Sequence, residues 1–509
     1  MSEGWTPERH GEGDGALRGR VARGLTWTVV DTWGRQVLNL AVFVVLARFL
    51  APDDFGVVAL AAVFVALAQV VVDQGLGDAL IQRREITRSH VDTAFWVAVV
   101  TGLLLTVTTV LVAGPVSAFL REPALEPVLA ILSLSFVFAA LSSIQIALLR
   151  RELAFRSLAL RSILASLGGG AVGVVLAVLG AGAWALVAQQ LVAGAVSVVA
   201  LWTLSPWRPS WSFSLPQFRE LFGFGLNIVG SDLLTFLSRN GDNFLIGAVL
   251  GTTPLGFYAV GYRLLDVTQV LLINVARKIS FPAFSRLQHD PERMVRAYLQ
   301  VTRTTSALIL PGYVGMALVA FELVPVLFGA RWQASGEVAA VLFLIGPVLS
   351  LQAFSGSYLN AVGRPDVTLR FRLITTATNV IGFLIAVPFG IVAVAGAYVI
   401  RGYLLLPLNL YWLRVHGGVP TGAILAELRG TGLATLLMAV AVTATRLLAG
   451  DALGPAPLLA LQVVVGAATF VAAVWIVDRR TVRELRELVG HAFRRRRATG
   501  PDDDEPPVE

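Results

Sequence analysis

Arg239 and Asp242 stand before the segment Leu250-Gly-Thr-Thr-Pro-Leu-Gly256, and Arg263 and Asp266 after it, inside stretches that are otherwise apolar. An ionised side chain in hydrocarbon costs about 2.5 kcal/mol or more, so each needs a partner or a water-filled cavity. Both pairs are spaced i,i+3, which puts their charges on one face of a helix. Counting at about 1.5 Å per residue from a turn centred on Thr253 matches Asp242 with Arg263 in depth, and Arg239 with Asp266. Two facing ion pairs are therefore predicted, roughly 15–20 Å below the turn. Arg35 and Asp73 lie 18 and 20 residues either side of the equivalent point in the earlier turn Leu50-Ala-Pro-Asp-Asp-Phe-Gly56, so they too should meet, and Asp31, one helical turn before Arg35, is placed to share it.

Two chemistries fit such residues. The charges clamp helices together, or the arginines, partly neutralised by aspartate, line a cavity that receives an anion. On the second reading Arg35, Arg239 and Arg263 bind substrate, and Asp31, Asp73, Asp242 and Asp266 pair with them or carry a proton or cation. Arginine's planar fork suits phosphate. Yet Lys278 is the one lysine among 40 basic residues, so depth is the informative property and residue type is not. Asn243, Gln69 and Gln269 add uncharged hydrogen-bonding groups at depth, as do Asn227, Asn274, Gln145, Gln189 and Asn360; all serve equally as helix glue. Arg401 is a further cavity candidate. The five histidines fall in links or tails. No His, Asp and Glu set has metal spacing, no cofactor motif is present, and there is no phosphate loop or nucleophile elbow. No enzyme activity is expected.

The elements that must carry these residues are fourteen apolar stretches, each near the roughly 20 residues a helix needs to cross a bilayer. They are 22–49, 56–81, 91–114, 125–149, 157–180, 183–204, 220–250, 256–281, 298–323, 336–361, 369–389, 392–413, 431–449 and 456–477. In and beside the links after even-numbered spans are at least 18 positive charges, against Arg48, Arg121, Arg331 and Arg446 in and beside the others. Lys and Arg collect on the cytoplasmic side, so both termini are expected there. Mean hydropathy of +0.74 and 56% hydrophobic residues exclude a soluble domain. The net charge of +7 fits topology and anionic lipid, not nucleic acid. Cysteine is absent, so neither disulfides nor thiol chemistry arise.

The two turns quoted above stand 200 residues apart, with matching length and glycines, and Gln69 pairs with Gln269 at that offset. Six spans separate them, an even number, so both halves insert in the same orientation, with a site expected at their interface. The expected organisation is a disordered cytoplasmic tail (1–21), an N-lobe of spans 1–6 (22–204), a linker (205–219), and a C-lobe of spans 7–12 (220–415). Spans 13 and 14 follow (429–478), then a basic amphipathic helix and an acidic disordered tail (479–509). Short turns after spans 5 and 11 make those neighbours hairpins. Gly168-Gly169-Gly170 is expected to allow close helix packing, and prolines such as Pro347 to mark helix breaks.

The segments ARFLAPDDFGVVALAAVFVALAQVVVDQGLGDALIQRREIT, SRNGDNFLIGAVLGTTPLGFYAVGYRL and FPAFSRLQHDPERMVRAYL resemble the polysaccharide-transport family of flippases. That family belongs to the multidrug/oligosaccharidyl-lipid/polysaccharide exporter superfamily, and the likeness, strongest to colanic-acid-type lipopolysaccharide biosynthesis exporters, runs from Gly24 to Val415. It implies two six-helix lobes around a central cavity in the bacterial cytoplasmic membrane. It implies alternating access and a polyprenyl-diphosphate-linked oligosaccharide as substrate, with a polysaccharide polymerase or export machinery as possible partner. A peptidoglycan-precursor flippase and a cation-coupled multidrug antiporter of the same superfamily are the alternatives.

Overall fold

The computed structural model describes residues 33–73, 76–83, 86–274, 280 and 284–480. The regular elements among them are all helices. They are α1 (33–49), α2 (Pro52–Asp73), α3 (Leu76–Gln82), α4 (Arg88–Leu120), α5 (Leu125–Leu132), α6 (Leu134–Arg151), α7 (Phe155–Val178), α8 (Ala183–Leu204), α9 (Leu215–Leu250) and α10 (Thr252–Gln269). There follow α11 (Pro291–Phe328), α12 (Gln333–Phe343), α13 (Gly346–Gln352), α14 (Ser355–Ala361), α15 (Pro365–Ala386), α16 (Ile391–Gly417), α17 (Thr421–Ala449) and α18 (Pro455–Val477).

Among the described residues, eleven stretches are long and apolar enough to cross a bilayer unaided. The other three expected spans coincide, over their described parts, with α1, α9 and α10. Arg239, Asp242, Arg263 and Asp266 dilute the apolarity of α9 and α10. The chain is thus an all-α polytopic membrane protein of about fourteen spans. Helices α4 and α11, at 33 and 38 residues, are longer than the apolar runs inside them. At about 1.5 Å per residue they exceed the roughly 30 Å of hydrocarbon and continue beyond it. The tenth span is broken into α12, α13 and α14, with Pro347 in the first turn of α13, where a missing N–H costs nothing.

Two compact units interleave along the chain. The first holds residues up to Val267 together with Leu327–Val338 and Arg372–Arg401. Within it α7 and α8 form the expected hairpin, turned by Gly180 and Gly182 at φ 79° and 56°. A Cβ at Gly169 would lie 2.5 Å from the Gln189 carbonyl oxygen, so the glycine run does bring these backbones together. The Asp54 carboxylate accepts from the Ala51 N–H (2.9 Å) and from the Ala183 N–H (2.8 Å), tying the start of α2 to the start of α8. The segment before α9 is strapped to α4. Buried Asp92 accepts from the Ser210 N–H and from the hydroxyls of Ser210 and Ser212, and the Trp96 indole donates to the Ser210 carbonyl at 2.8 Å.

The sequence repeat is present as a reciprocal contact. A Cβ at Gly56 would lie 1.8 Å from the Thr252 carbonyl oxygen, and one at Gly256 would lie 1.8 Å from the Pro52 carbonyl oxygen. Both partners, like both glycines, are 200 positions apart.

The second unit holds Thr268–Val326, Ala339–Phe371 and the residues from Gly402 onward. Its α17 and α18 pack as a hairpin, and Val319 of α11 joins Met438 and Val442 of α17 in one apolar cluster. Two ion pairs flank that cluster: Arg303–Glu427 at 2.9 Å and Glu322–Arg446 at 3.0 Å. The C-terminal amphipathic helix expected beyond Arg480 and the tail expected before residue 22 lie outside the described residues.

Candidate functional site

Helices α9 and α10 are joined by one residue, Gly251, at φ 90°. That conformation suits glycine alone among the residues nearby. The chain therefore reverses at Gly251, not at Thr253, because Thr252 and Thr253 already belong to α10 and Pro254 is accommodated in its first turn. Re-centring the turn by two residues changes every pairing of depth. Arg239 and Arg263 now stand level, each twelve residues from Gly251. Asp242 falls between the levels of Tyr258 and Tyr262.

The facing ion pairs predicted from the sequence are accordingly not formed. Asp242, 3% exposed, accepts a hydrogen bond from the Tyr258 hydroxyl at 2.7 Å and another from the Asn243 N–H at 2.8 Å. Tyr258 is fully buried and stacks near Tyr262, with ring centroids 6.0 Å apart. Arg263 meets Asp266 within its own helix at 3.4 Å, with both side chains about a third exposed (30% and 40%). Its guanidinium lies 5.8 Å from the Phe43 ring of α1, and its Nε is buried with no hydrogen-bond partner. Arg239 is exposed and enters no ion pair among the described residues.

Other groups in the first unit surround this pair of helices. The Asn243 Oδ1 is buried without a partner. On α16, Arg401 lies over the Tyr398 ring at 5.0 Å, and its Nε is likewise buried and unpartnered. From α15, Asn379 donates to the Ser238 hydroxyl of α9 at 3.3 Å, and its own Oδ1 has no partner. Unmatched donors on two arginines and unmatched acceptors on two asparagines remain at membrane depth. Such groups are costly in a dry interior and are satisfied by water or by a polar ligand.

The remaining sequence candidates are dispersed. Arg35 is exposed on α1, and Gln69 is half-buried on α2. Gln269 belongs to the second unit. Asp31 lies outside the described residues, and so do the side chains of Asp73, Asn227 and Asn274. Gln145 is fully buried on α6 with both amide atoms unpartnered, while Gln189 packs against Gly173.

Sequence reasoning missed two sets of residues. The tyrosines Tyr258, Tyr262 and Tyr398 were passed over because only charged partners were sought for Asp242, although a phenol is a sufficient donor. The pairs Arg303–Glu427 and Glu322–Arg446 were passed over because their members lie far apart in sequence. A signal existed: Arg303 and Glu322 have the same 19-residue separation as Glu427 and Arg446.

Residues 45–337 match the profile of a family described as polysaccharide biosynthesis protein. The lipopolysaccharide biosynthesis protein WzxC of Escherichia coli K12 is 25% identical over 363 residues, 71% of this chain and 74% of that one. The succinoglycan biosynthesis transport protein ExoT of Rhizobium meliloti is 27% identical over 354 residues, 70% of this chain and 72% of that one. Among solved structures, the lipid II flippase MurJ in an inward closed conformation superposes with a TM-score of 0.74. The match covers 89% of this chain and 99% of MurJ at 15% identity, a likeness of fold alone. An inward-facing multidrug transporter of the MATE family gives 0.55 over 75% of this chain and 94% of its own, at 16% identity.

Proposed function

This chain belongs to the polysaccharide biosynthesis protein family, and we propose that it flips a polyprenyl-diphosphate-linked oligosaccharide across the bacterial cytoplasmic membrane by alternating access. The diphosphate and sugars would pass through the protein while the polyprenyl tail stays in lipid. Moving a diphosphate through bare hydrocarbon is prohibitive. The observation that carries the reading is Arg263: a cation at membrane depth, loosely held by Asp266 at 3.4 Å, with a buried Nε that nothing in the described protein satisfies. A phosphate oxygen supplies that missing acceptor and competes with Asp266 for the guanidinium. Arg239, level with Arg263, and Arg401 would add positive charge, and Asn243 and Asn379 offer acceptors to sugar hydroxyls. Arg35 and Gln69 are retained as further contacts, and Asp31, Asp73, Asp242 and Asp266 as ion carriers.

In this reading spans 1–6 and 7–12 act as two lobes, both termini are cytoplasmic, and a polysaccharide polymerase or export complex takes the product. Flipping of a fluorescent polyprenyl-diphosphate sugar by purified protein in vesicles tests the proposal. Arg263→Ala should slow flipping at least about tenfold, equivalent to the loss of one charge-assisted hydrogen bond of about 1.5–3 kcal/mol. Arg263→Lys should recover only part of it, since an ammonium lacks the bidentate fork. Wild-type flipping rates in both variants would remove the site assignment.

A further inference from the structure

Residues 205–214 join α8 to α9 and form no helix, yet they are tied down along their length. Trp207 is buried against Phe95 of α4, with ring centroids 5.5 Å apart. Arg208 donates to the carbonyls of Trp202, Ser205 and Trp207, around the end of α8. Beyond Pro209, alternate residues turn to α4. The Ser210 N–H and the hydroxyls of Ser210 and Ser212 all donate to Asp92, and the Ser214 N–H donates to the Thr93 hydroxyl at 3.1 Å. Trp211 and Phe213, between the serines, are exposed, and Trp211 stacks on Trp96 of α4 at 4.4 Å. In the first turn of α9, the Gln217 amide oxygen accepts from the Ser89 hydroxyl of α4 at 2.7 Å. All of these elements belong to the first unit.

We propose that Asp92 is a positioning residue for transport: through this clasp it fixes the start of α9, the helix that carries Arg239 and Asp242, to α4, and the clasp stays shut throughout the cycle. The inference rests on the flippase reading given above. Asp92 is 1% exposed, and Arg88, one turn earlier, reaches it only at 4.0 Å. The donors that satisfy its charge therefore come from the linker. Lifting the linker would strand a buried carboxylate, whereas a joint between neutral groups at the surface exchanges its bonds for water at small net cost. The linker thus supplies no slack between spans 6 and 7. Leverage gives the clasp its reach. Arg239 lies 25 residues beyond Ser214, about 37 Å at 1.5 Å per residue, so a tilt of about 5° at the clasp carries it about 3 Å. A misplacement of about 1 Å is enough to cost about a hundredfold in rate where groups must be aligned.

Amide hydrogen exchange on the whole chain reads the clasp without transport. The Ser210 and Ser214 N–H groups lie outside any helix, so a free linker would leave them unprotected, while a clasped one should protect them at least about a hundredfold. Asp92→Ala should remove at least about tenfold of that protection. Exchange of 205–214 at the free-chain rate in the parent overturns the proposal. In vesicles, Asp92→Ala should slow the flipping of a fluorescent polyprenyl-diphosphate sugar at least about tenfold; an unchanged rate overturns the positioning role. The chain has no native cysteine, so Ser89→Cys with Gln217→Cys allows the joint to be bridged by a short bis-methanethiosulfonate and released by a reductant. Bridging should leave the rate otherwise given by the parent within about twofold, and in the Asp92→Ala background it should recover most of the lost rate. A bridge that stops flipping reveals a joint that must open, and one that does not rescue Asp92→Ala assigns the slow rate to another cause; either overturns the proposal. Where Asp92→Ala does not fold, Ser210→Ala with Ser212→Ala, which removes two donors and keeps the carboxylate, takes its place with the same expected outcomes. A parent that never flips the probe removes the flippase reading instead, and the exchange result then decides the clasp by itself.

Discussion

At the scale of single residues, the informative finding is that Asp242 takes a tyrosine partner. A carboxylate enclosed at membrane depth without a cation must be satisfied by hydrogen bonds or give up its charge. Asp242 has two donors, the Tyr258 hydroxyl and the Asn243 N–H. Removing the hydroxyl leaves a buried acceptor unmatched, which costs about 1–3 kcal/mol. Tyr258→Phe should lower the melting temperature of the detergent-solubilised protein, whereas Asp242→Asn in the same background should recover part of the loss, because an amide carries no charge to satisfy. Equal melting of Tyr258→Phe and the parent would mean that this bond contributes nothing to the fold. The arginines divide differently. Arg263 and Arg401 each keep a buried Nε without a partner, so their worth lies in what they have yet to bind, and activity, not stability, should report their loss.

At the scale of helices, α11 and α17 run side by side in the same direction, with one register repeated at both ends. Arg303 meets Glu427 and, 19 residues further along each helix, Glu322 meets Arg446. The separation is about 28 Å at 1.5 Å per residue, close to the thickness of the hydrocarbon. The charges thus sit near its two boundaries, where the cost of burial is least, and their opposite polarity forbids a shifted register. Arg446→Ala would strand Glu322, whose side chain is 8% exposed, while Arg446 itself is 44% exposed. Solvent screening of the arginine reduces the expected cost to about 1–3 kcal/mol, below that of a fully buried pair. Thermal unfolding should show that loss, and Glu322→Gln added to Arg446→Ala should regain most of it. No recovery would mean that the carboxylate's charge is not the cause. This clamp also marks the limit of what the sequence discloses at helix scale. Spans, hairpins and the glycine-packed α7–α8 contact follow from apolar length and turn chemistry, which are local properties. The partner of Arg303 is 124 residues away, and nothing local announces it. The α9–α10 turn failed for a smaller reason: Pro254 read as loop when it occupies the first turn of a helix, and an error of two residues was enough to misplace the depths on which both facing pairs rested.

At the scale of the whole chain, the repeat was visible in a single aligned pair of turns because the physical demand on those turns is shared. Each must present a glycine to the other's backbone, so both kept glycine at the same offset. The cluster around Arg263 was only half visible, because Tyr398 and Arg401 reach it from α16 by a route that sequence spacing does not describe. The orientation expected in the membrane rests on a property spread over the links: at least 18 positive charges in and beside one set against Arg48, Arg121, Arg331 and Arg446 in and beside the other. If that division sets topology, exposed His289 in an arginine-rich link and exposed Asp451 in the link between α17 and α18 must lie on opposite sides. The absence of native cysteine allows each to be read alone. His289→Cys should react with an impermeant maleimide only after the cells are opened, and Asp451→Cys should react in intact cells. The reverse pattern would invert the chain, placing both termini and the arginine-rich links outside and the reciprocal contact of Gly56 and Gly256 on the cytoplasmic side. The glycolipid would then have to enter where it is now expected to leave.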